Sequence, residues 1–339
     1  MSVSFFEGTE KRIEIDFRGS GDLRNVTRAD WEEVVRLSGT QILNCKVTSE
    51  FTSFLLSESS LIVYPCKAIL KTCGRTVPVA AVPKLKAIAK EQGLEVEWLC
   101  YSRKNFLAPG EQPEEHQSQE AEIAVCRQAC GGEVGDAFVL GPMTGEHWLV
   151  YDASFLWVDG MTRGDFQVDM MMYDLPTDVQ AVFYTDLPEG SRDGAMKMTR
   201  DSGLGEIVDT MGGEVDDYCF DKCGYSCNIH AGQDYAMVHV TPQDECSYAS
   251  FESNLGSSRT GLPTEGAELA NKLESLVAKV LKVFRPRRLT MTLFIDQGAA
   301  SLVGSAPFVE AEKLYRKRNT TSTWFESDYS AVIANFDLR

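Results

Sequence analysis

The stretch Arg-Ile-Glu-Ile-Asp-Phe occupies residues 12–17, and charged and apolar side chains alternate along it without a break. A period of two is typical of a β-strand that has one apolar face and one polar face. The pattern therefore predicts a strand whose three apolar side chains face a core. Glu14 and Asp16, joined by Glu10 just upstream, lie on the opposite face.

Outward from this strand, the sequence alternates between strand-like and helix-like patterns, which predicts a mixed α/β or α+β protein. Helices are predicted after the capping sequence at 27–30, and over 83–93, 117–130 and 265–284. Further strands are predicted at 60–64, 67–73, 94–98, 136–141, 147–153, 235–241, 246–251 and 289–295. Loops are predicted at 105–116, 186–217 and 253–264, and a boundary between two halves near 155–165.

Charge and hydropathy exclude several classes of partner. The 339 residues include 50 Asp and Glu against 33 Lys and Arg, a net charge of −17. Such a chain is repelled by nucleic acid and by anionic membrane surfaces, whereas a cationic ligand is easily accommodated. The sequence has no apolar run of membrane-spanning length and no signal peptide, so we expect a cytoplasmic protein whose 10 cysteines are thiols.

Two stretches in the first quarter carry candidate chemistry. Residues 56–63 place three serines around Glu58 between apolar flanks, which by itself is typical of a strand entered from a turn. Downstream, Lys71 and Cys73 are two residues apart on a predicted strand and so share a face. A cysteine beside a lysine can have a lowered pKa and act as an acid or nucleophile, although a packed thiol is the simpler alternative.

A second candidate cluster lies at 219–230 and is followed by His239 on a predicted strand. Cys219, Cys223, Cys227 and His230 could indicate a zinc site, but their spacing is not the paired C-x-x-C form, and we predict no metal. The sequence contains no P-loop, no G-x-S-x-G and no H-E-x-x-H motif.

Taken together, the motifs resemble those of eukaryotic S-adenosylmethionine decarboxylases, which are pyruvoyl-dependent proenzymes. The resemblance covers nearly the whole chain, and its motifs fall in the family's order. They are Phe-Phe-Glu-Gly-Thr-Glu-Lys at 5–11, Leu-Ser-Glu-Ser-Ser at 56–60, Lys-Thr-Cys-Gly at 71–74, Tyr-Ser-Arg-Lys-Asn-Phe at 101–106, Gly-Pro-Met at 141–143, Cys-Gly-Tyr-Ser at 223–226 and His-Val-Thr-Pro at 239–242.

The resemblance implies a fold that the patterns alone do not select. We expect an α+β, four-layer α-β-β-α sandwich, in which two antiparallel sheets pack face to face with helices outside. The chain would form a single domain over 1–339, with two topologically similar halves that meet near 155–165. Some members form an edge-to-edge homodimer and others are monomers.

The resemblance also implies self-cleavage. Ser59 Oγ would attack the Glu58 carbonyl, and elimination of the resulting ester would leave a pyruvoyl group derived from Ser59. The products are a β chain of residues 1–58, which stays with the protein, and an α chain of residues 59–339. His239 matches the family's processing base, and Ser226 matches its partner in processing.

The implied activity is decarboxylation of S-adenosylmethionine through a Schiff base on the pyruvoyl group, giving the aminopropyl donor for spermidine and spermine synthesis. Cys73 matches the family's proton donor. If the proton went to the pyruvoyl carbon instead, an aldehyde would form and transamination would consume the cofactor. Cys73 therefore decides the outcome as well as the rate.

Substrate-binding residues are also implied. Phe6 and Phe220 match a pair of stacking rings, which suit a flat adenine and a positive sulfonium. Glu7 matches an adenine-side residue, and Glu10 matches a carboxylate near the active site. Gln243 stands where the family usually has Glu, so we expect weaker substrate affinity.

The family's putrescine activator is implied at a separate acidic cluster. We expect a diamine there because Ile13, Cys100 and Phe294 stand at the places where plant-type members have basic residues, and because a buried acidic cluster without a cation is costly. The matching positions are Glu14, Lys71, Asp165, Asp169 and Glu252.

Two other readings belong to different functional classes. An inactive paralogue that binds and activates a decarboxylase partner would lose the cleavage serine or the catalytic residues. This chain keeps Glu58, Ser59, Cys73, Ser226 and His239, and only Gln243 favours that reading. A Cys/His hydrolase would leave the serine-rich stretch unexplained.

Overall fold

The computed structural model describes residues 8–132, 134–155, 164–243, 246–256 and 266–339. The chain divides into two compact units, residues 1–159 and 160–339. In the part of the chain described, no helix is long and apolar enough to cross a membrane.

The first unit contains one antiparallel sheet in the strand order β2-β3-β4-β5-β1-β6-β8-β7. Its strands are β1 (Lys11–Gly19), β2 (Ile42–Val47), β3 (Thr52–Leu56), β4 (Ser59–Tyr64), β5 (Lys67–Thr72), β6 (Leu94–Lys104), β7 (Asp136–Leu140) and β8 (Trp148–Ser154). Its helices are α1 (Arg28–Leu37), α2 (Val82–Glu91) and α3 (Gln119–Cys130).

Local sequence explains where these helices begin. The Thr27 side chain accepts a hydrogen bond from the Asp30 backbone N–H, as the capping sequence predicts. A proline lies in the first turn of α2, where its missing N–H costs nothing. Ser118 caps α3 in the same way as Thr27 caps α1. The three helices pack on the apolar side of the sheet, where Ile13 and Ile15 are buried.

The second unit contains the other antiparallel sheet, in the order β10-β11-β12-β13-β9-β14-β16-β15. Its strands are β9 (Phe166–Tyr173), β10 (Glu214–Cys219), β11 (Tyr225–Ala231), β12 (Asp234–Thr241), β13 (Tyr248–Ser253), β14 (Arg288–Asp296), β15 (Tyr315–Trp324) and β16 (Tyr329–Leu338). Its helices are α4 (Thr177–Val182), α5 (Arg192–Ser202), α6 (Leu204–Met211), α7 (Gly266–Phe284), α8 (Gln297–Val303) and α9 (Ala306–Leu314).

The two sheets have the same connectivity. Each strand of the first sheet corresponds to the strand eight places later in the second, so β3 and β4 correspond to β11 and β12. The α+β class, the two antiparallel sheets and the topological similarity of the halves are thereby confirmed.

The prediction of a loop over 186–217 is wrong, because this segment forms α5, α6 and β10. The helices are short, and Gly203 separates them with φ at +86°, a backbone conformation that favours glycine. Glycines and acidic residues obscure the helical period. The predicted loop at 105–116 contains two single-turn 3₁₀ segments, and most of the one at 253–264 lies outside the described residues.

Candidate active site

The predicted cleavage site is a tight turn between two buried strands. Leu56 pairs with Ser59 at the ends of β3 and β4, so Ser57 and Glu58 form a two-residue hairpin turn. Ser59 has φ at +125°, a region that L-residues other than glycine rarely occupy. Such backbone strain costs about 1–3 kcal/mol and persists only where surrounding structure enforces it. Here the enforcing structure includes β5, which pairs with β4 on its other side.

The carbonyl group between Glu58 and Ser59 has a positioned donor. The backbone N–H of Cys73 donates a hydrogen bond to the Glu58 carbonyl oxygen over 3.0 Å. A donor on this oxygen polarises the carbonyl and stabilises negative charge that forms on it when a nucleophile attacks. The strained residue and the polarised carbonyl are therefore the two ends of one peptide bond.

The Cys73 thiol also contacts Glu58, with its sulfur 3.7 Å from Glu58 Oε2. Burial raises the pKa of Cys73 well above its usual value, and the charges of Glu58 and Glu10 raise it further, while Lys11 acts against them. Burial also raises the pKa of Glu58. A thiol with a raised pKa stays protonated at neutral pH, as a proton donor must.

Of the two alternatives for Cys73, a pKa lowered by Lys71 is not found, since the pKa of Cys73 is raised. β5 ends at Thr72, so Cys73 lies just past the strand, and the Lys71 ammonium group is 2.8 Å from Glu10 Oε2. Lys71 and Glu10, matched above to different sites, thus form one buried ion pair in which both side chains are about 1–2% exposed.

The charged face of β1 is buried as well as its apolar face. Arg12 Nη1 lies 2.7 Å from Glu14 Oε2, and Lys67 pairs with both Glu14 and Asp16. The premise of an acidic cluster that lacks a cation therefore does not hold for Glu14, because two basic side chains of the same unit already neutralise it. The alternation along β1 located these carboxylates but gave no sign of the long-range pairing with β5.

In the second unit, His239 and Ser226 face each other across β12 and β11. His239 Nδ1 is 2.9 Å from Ser226 Oγ, and both residues are buried. When Nδ1 donates to this hydroxyl, Nε2 keeps the lone pair that a general base requires. The hairpin that carries this pair corresponds in topology to the β3–β4 hairpin of the first unit.

The predicted substrate-binding residues are only partly described. Phe6 and Glu7 lie outside the described residues. Phe220 is half-buried, its ring 5.1 Å from Tyr218 in an edge-to-face arrangement. Gln243, also half-buried, accepts a hydrogen bond at its backbone carbonyl oxygen from the Cys246 N–H over 3.0 Å, and its side-chain Oε1 lies 3.8 Å from Cys246 Sγ. Phe220 thus keeps an exposed portion that a ligand can contact.

The remaining acidic positions belong to the second unit, Asp165 just before β9, Asp169 on β9 and Glu252 on β13, and each accepts a hydrogen bond from a neutral donor. Asp165 accepts from the Tyr329 hydroxyl over 3.1 Å, and Glu252 accepts from the Tyr235 hydroxyl over 2.6 Å. Asp169 accepts hydrogen bonds from Thr292 and Gln167. These carboxylates are buried and polar, which suits a cationic ligand better than an apolar one.

Three residues that were weighed as zinc ligands, Cys219, Cys227 and His230, have other contacts in the structure. The Cys219 thiol donates to the Ser191 carbonyl oxygen over 3.3 Å, and Cys227 belongs to the apolar core. His230 Nδ1 lies 3.3 Å from the Glu214 carbonyl oxygen.

Sequence reasoning missed Lys11. Its ammonium group donates a hydrogen bond over 2.5 Å to the carbonyl oxygen of Gly74, the residue that follows Cys73 in the chain. A signal was present, since Lys11 has the same strand parity as Ile13 and Ile15 and so falls on the apolar face of β1. A lysine on an apolar face requires a partner.

Comparison with known proteins agrees with this architecture. The family model of adenosylmethionine decarboxylase matches residues 3–337. The chain is similar to S-adenosylmethionine decarboxylase proenzymes of Dictyostelium discoideum, 32% identical over 98% of this chain and 85% of the relative, and of Xenopus laevis, 30% identical over 99% and 96%. A crystal structure of a Trypanosoma brucei AdoMetDC-delta26 monomer superposes with a TM-score of 0.60 at 26% identity, covering 82% of this chain and 99% of that one.

A family match over almost the whole length places the chain among enzymes whose named relatives are decarboxylase proenzymes. The chain belongs to the adenosylmethionine decarboxylase family.

Proposed function

We propose that this protein is an S-adenosylmethionine decarboxylase that is made as a proenzyme and cleaves itself between Glu58 and Ser59. The observation that carries the proposal is the strained Ser59 backbone, φ +125°, beside a scissile carbonyl that already accepts the Cys73 N–H. Strain in the ground state and a donor on the carbonyl oxygen both lower the barrier to attack.

Cleavage proceeds in two stages, formation of an ester and then its elimination. Ser59 Oγ adds to the Glu58 carbonyl carbon, the C–N bond breaks, and the nitrogen takes up the hydroxyl proton, so the amide becomes an ester. A base then removes the Ser59 α-proton, and the Glu58 carboxylate leaves. The dehydroalanine tautomerises, and water releases ammonia to give the pyruvoyl group. By resemblance, His239 is the base and Ser226 assists it.

Ser59 fits the role of pyruvoyl precursor because it supplies the hydroxyl next to the polarised carbonyl. When formed, the pyruvoyl group supplies an electron sink for loss of carbon dioxide from a bound amino acid. The protein then has to deliver one proton to the substrate α-carbon. Cys73 suits this role because burial keeps its thiol protonated at neutral pH.

We further propose, by resemblance, that Phe6, Glu7 and Phe220 bind the adenine and sulfonium of the substrate, with Glu10 near the reacting groups. A ring face attracts a sulfonium by about 0.5–2 kcal/mol. Phe220→Leu, which keeps the apolar volume but removes the ring, is expected to raise KM more than it lowers kcat.

Intact mass spectrometry under denaturing conditions tests the proposal. Two fragments that meet at Glu58 and Ser59, the larger lacking one ammonia, are expected, together with release of labelled carbon dioxide from carboxyl-labelled S-adenosylmethionine. Ser59→Ala is expected to stay full length, and His239→Ala to accumulate uncleaved or ester-linked chain. A wild-type chain that stays intact on long incubation would support the regulatory-paralogue reading instead.

A diamine activator stays a prediction, and its physical basis changes. Glu14 has cations of its own chain, so the prediction of a diamine now rests on the burial and polarity of Asp165, Asp169 and Glu252. The prediction fails if putrescine changes neither the cleavage rate, nor turnover, nor the melting temperature.

A further inference from the structure

Lys11 is the first residue of β1, and its side chain is completely buried, with 0% of its surface exposed. An ammonium group that leaves water loses its hydration, and a folded protein tolerates this loss only where charges or hydrogen bonds offset it. A cation at this depth therefore needs a specific environment, and the segment that carries Cys73 is part of it.

Two contacts join Lys11 to this segment. Its backbone pairs with Thr72 in the β1–β5 ladder, and its ammonium group donates to the Gly74 carbonyl oxygen over 2.5 Å. Gly74 has φ at +63°, so the chain turns directly after Cys73. Lys11 thus contacts the residues immediately before and after Cys73.

The ammonium group is itself held in place. It lies 5.2 Å from the centre of the Phe106 ring, and the guanidinium carbon of Arg103 lies 4.4 Å from the same centre. Arg103 is in turn fixed by a buried ion pair with Glu122 on α3. A restrained cation can restrain its hydrogen-bond acceptor, and here the acceptor adjoins the thiol.

We propose that Lys11 is a positioning residue: by holding the Gly74 carbonyl, it fixes both the Cys73 backbone N–H on the Glu58 carbonyl and the Cys73 thiol that returns the proton. This inference rests on the proposed function, in which Cys73 is the proton donor. The charge of Lys11 also opposes the charges of Glu58 and Glu10 at the thiol.

Two measurements report on the two parts of this role, the placement of the Cys73 N–H and the placement of its thiol. Self-cleavage of the fresh proenzyme reports on the Cys73 N–H. Misdirected protonation reports on the thiol: the substrate nitrogen then stays on the residue derived from Ser59, which becomes alanyl, while water releases the remainder as an aldehyde. The fraction of alanyl α chains per turnover is read by intact mass.

The matched control is Lys86, which also donates to backbone carbonyls, those of Ala129 and Cys130, and lies 5.4 Å from the centre of the Phe155 ring. Lys11→Met is expected to slow self-cleavage and to raise the alanyl fraction, each by about tenfold, because misplacement by ~1 Å can cost as much as about 100-fold. Lys86→Met is expected to leave both at the wild-type value. Should Lys11→Met give no folded protein, Lys11→Gln, which keeps an N–H donor without the charge, replaces it.

The contrary result is a folded Lys11 variant that has a lower melting temperature but the wild-type cleavage rate and alanyl fraction. That result would show that the role of Lys11 is purely structural and would overturn the inference. Cys73→Ala separates this from failure of the proposed function. If Cys73→Ala does not raise the alanyl fraction, Cys73 is not the proton donor; if it does and the Lys11 variant does not, the inference on Lys11 alone is wrong.

Discussion

The strain at Ser59 can be measured as a free energy by comparing glycine and alanine at two neighbouring positions. Ser59→Gly and Ser59→Ala both remove the hydroxyl, so both chains are expected to stay uncleaved and comparable. Glycine accepts φ +125° without cost, whereas alanine retains the strain. Ser60 follows directly on the same strand and provides the reference position, since its φ is not positive.

The strain energy is the stability difference between glycine and alanine at position 59 minus the same difference at position 60. At either position glycine loses about 0.8 kcal/mol for a buried methyl group and about 0.4–1 kcal/mol through the greater freedom of the unfolded chain. Ser59 and Ser60 are about equally buried, 3% and 0% exposed, so these contributions cancel. The remainder is the backbone strain at Ser59, about 1–3 kcal/mol in favour of glycine.

Thermal and urea unfolding of the four variants, with Ser60→Gly and Ser60→Ala made in the Ser59→Ala background so that all stay uncleaved, gives this difference directly. For domains of the size of one unit, 1 kcal/mol corresponds to about 2–4 °C in Tm. If glycine destabilises position 59 as much as position 60, Ser59 is not strained, and ground-state strain plays no part in cleavage.

Two further predictions concern Gln243 and Glu122. Gln243→Glu is expected to lower KM for S-adenosylmethionine severalfold, because charged hydrogen bonds are about twice as strong as neutral ones; an unchanged KM would remove the argument. Although burial opposes it, hydrogen bonds from His116 and Arg103 lower the pKa of Glu122. The folded chain then binds fewer protons than the unfolded chain below the usual glutamate pKa of 4.5, so this stability is present above that pH and is lost as pH falls towards the lowered pKa. Wild-type Tm should therefore fall more steeply in acid than that of Glu122→Gln, and parallel curves would contradict the assignment.

Some helices and strands are predictable from the sequence and others are not, for physical reasons. The predicted helix over 265–284 matches α7 almost to the residue, because a long helix repeats its apolar positions often enough to be unambiguous. Seven of its apolar residues recur at helical spacing and are buried: Leu269, Leu273, Leu276, Val277, Val280, Leu281 and Phe284. α5 and α6 were missed because two short helices separated by Gly203 repeat too few times. The order of strands in a sheet depends on pairing between distant segments, which no local pattern records; it came from the resemblance.

The candidate site, too, is only partly predictable from the sequence. The residue types and motif order predict roles for Ser59, Cys73 and His239. They did not reveal which cation acts on Cys73, because Lys71 is closer in sequence while Lys11 is placed by the β1–β5 ladder. Nor did they show Lys67 on Glu14, because that contact also depends on the β1–β5 ladder. Electrostatic partners across a sheet require the register, and register is a property of the folded chain.

The shared connectivity of the two sheets places two unlike pairs of candidate site residues on corresponding hairpins. In each sheet the hairpin in question lies in the interior of the strand order, with β5 or β13 paired beyond it, so hydrogen bonds on both sides constrain its backbone. In the first unit that constraint holds Ser59 in a conformation it would not adopt alone. In the second it holds His239 and Ser226 directly opposite each other, at a distance a flexible loop would not maintain. A strand that is hydrogen-bonded on both sides can be held in a strained conformation, or can hold two side chains within hydrogen-bond distance. Which of the two occurs depends on the side chains that the sequence places at that register.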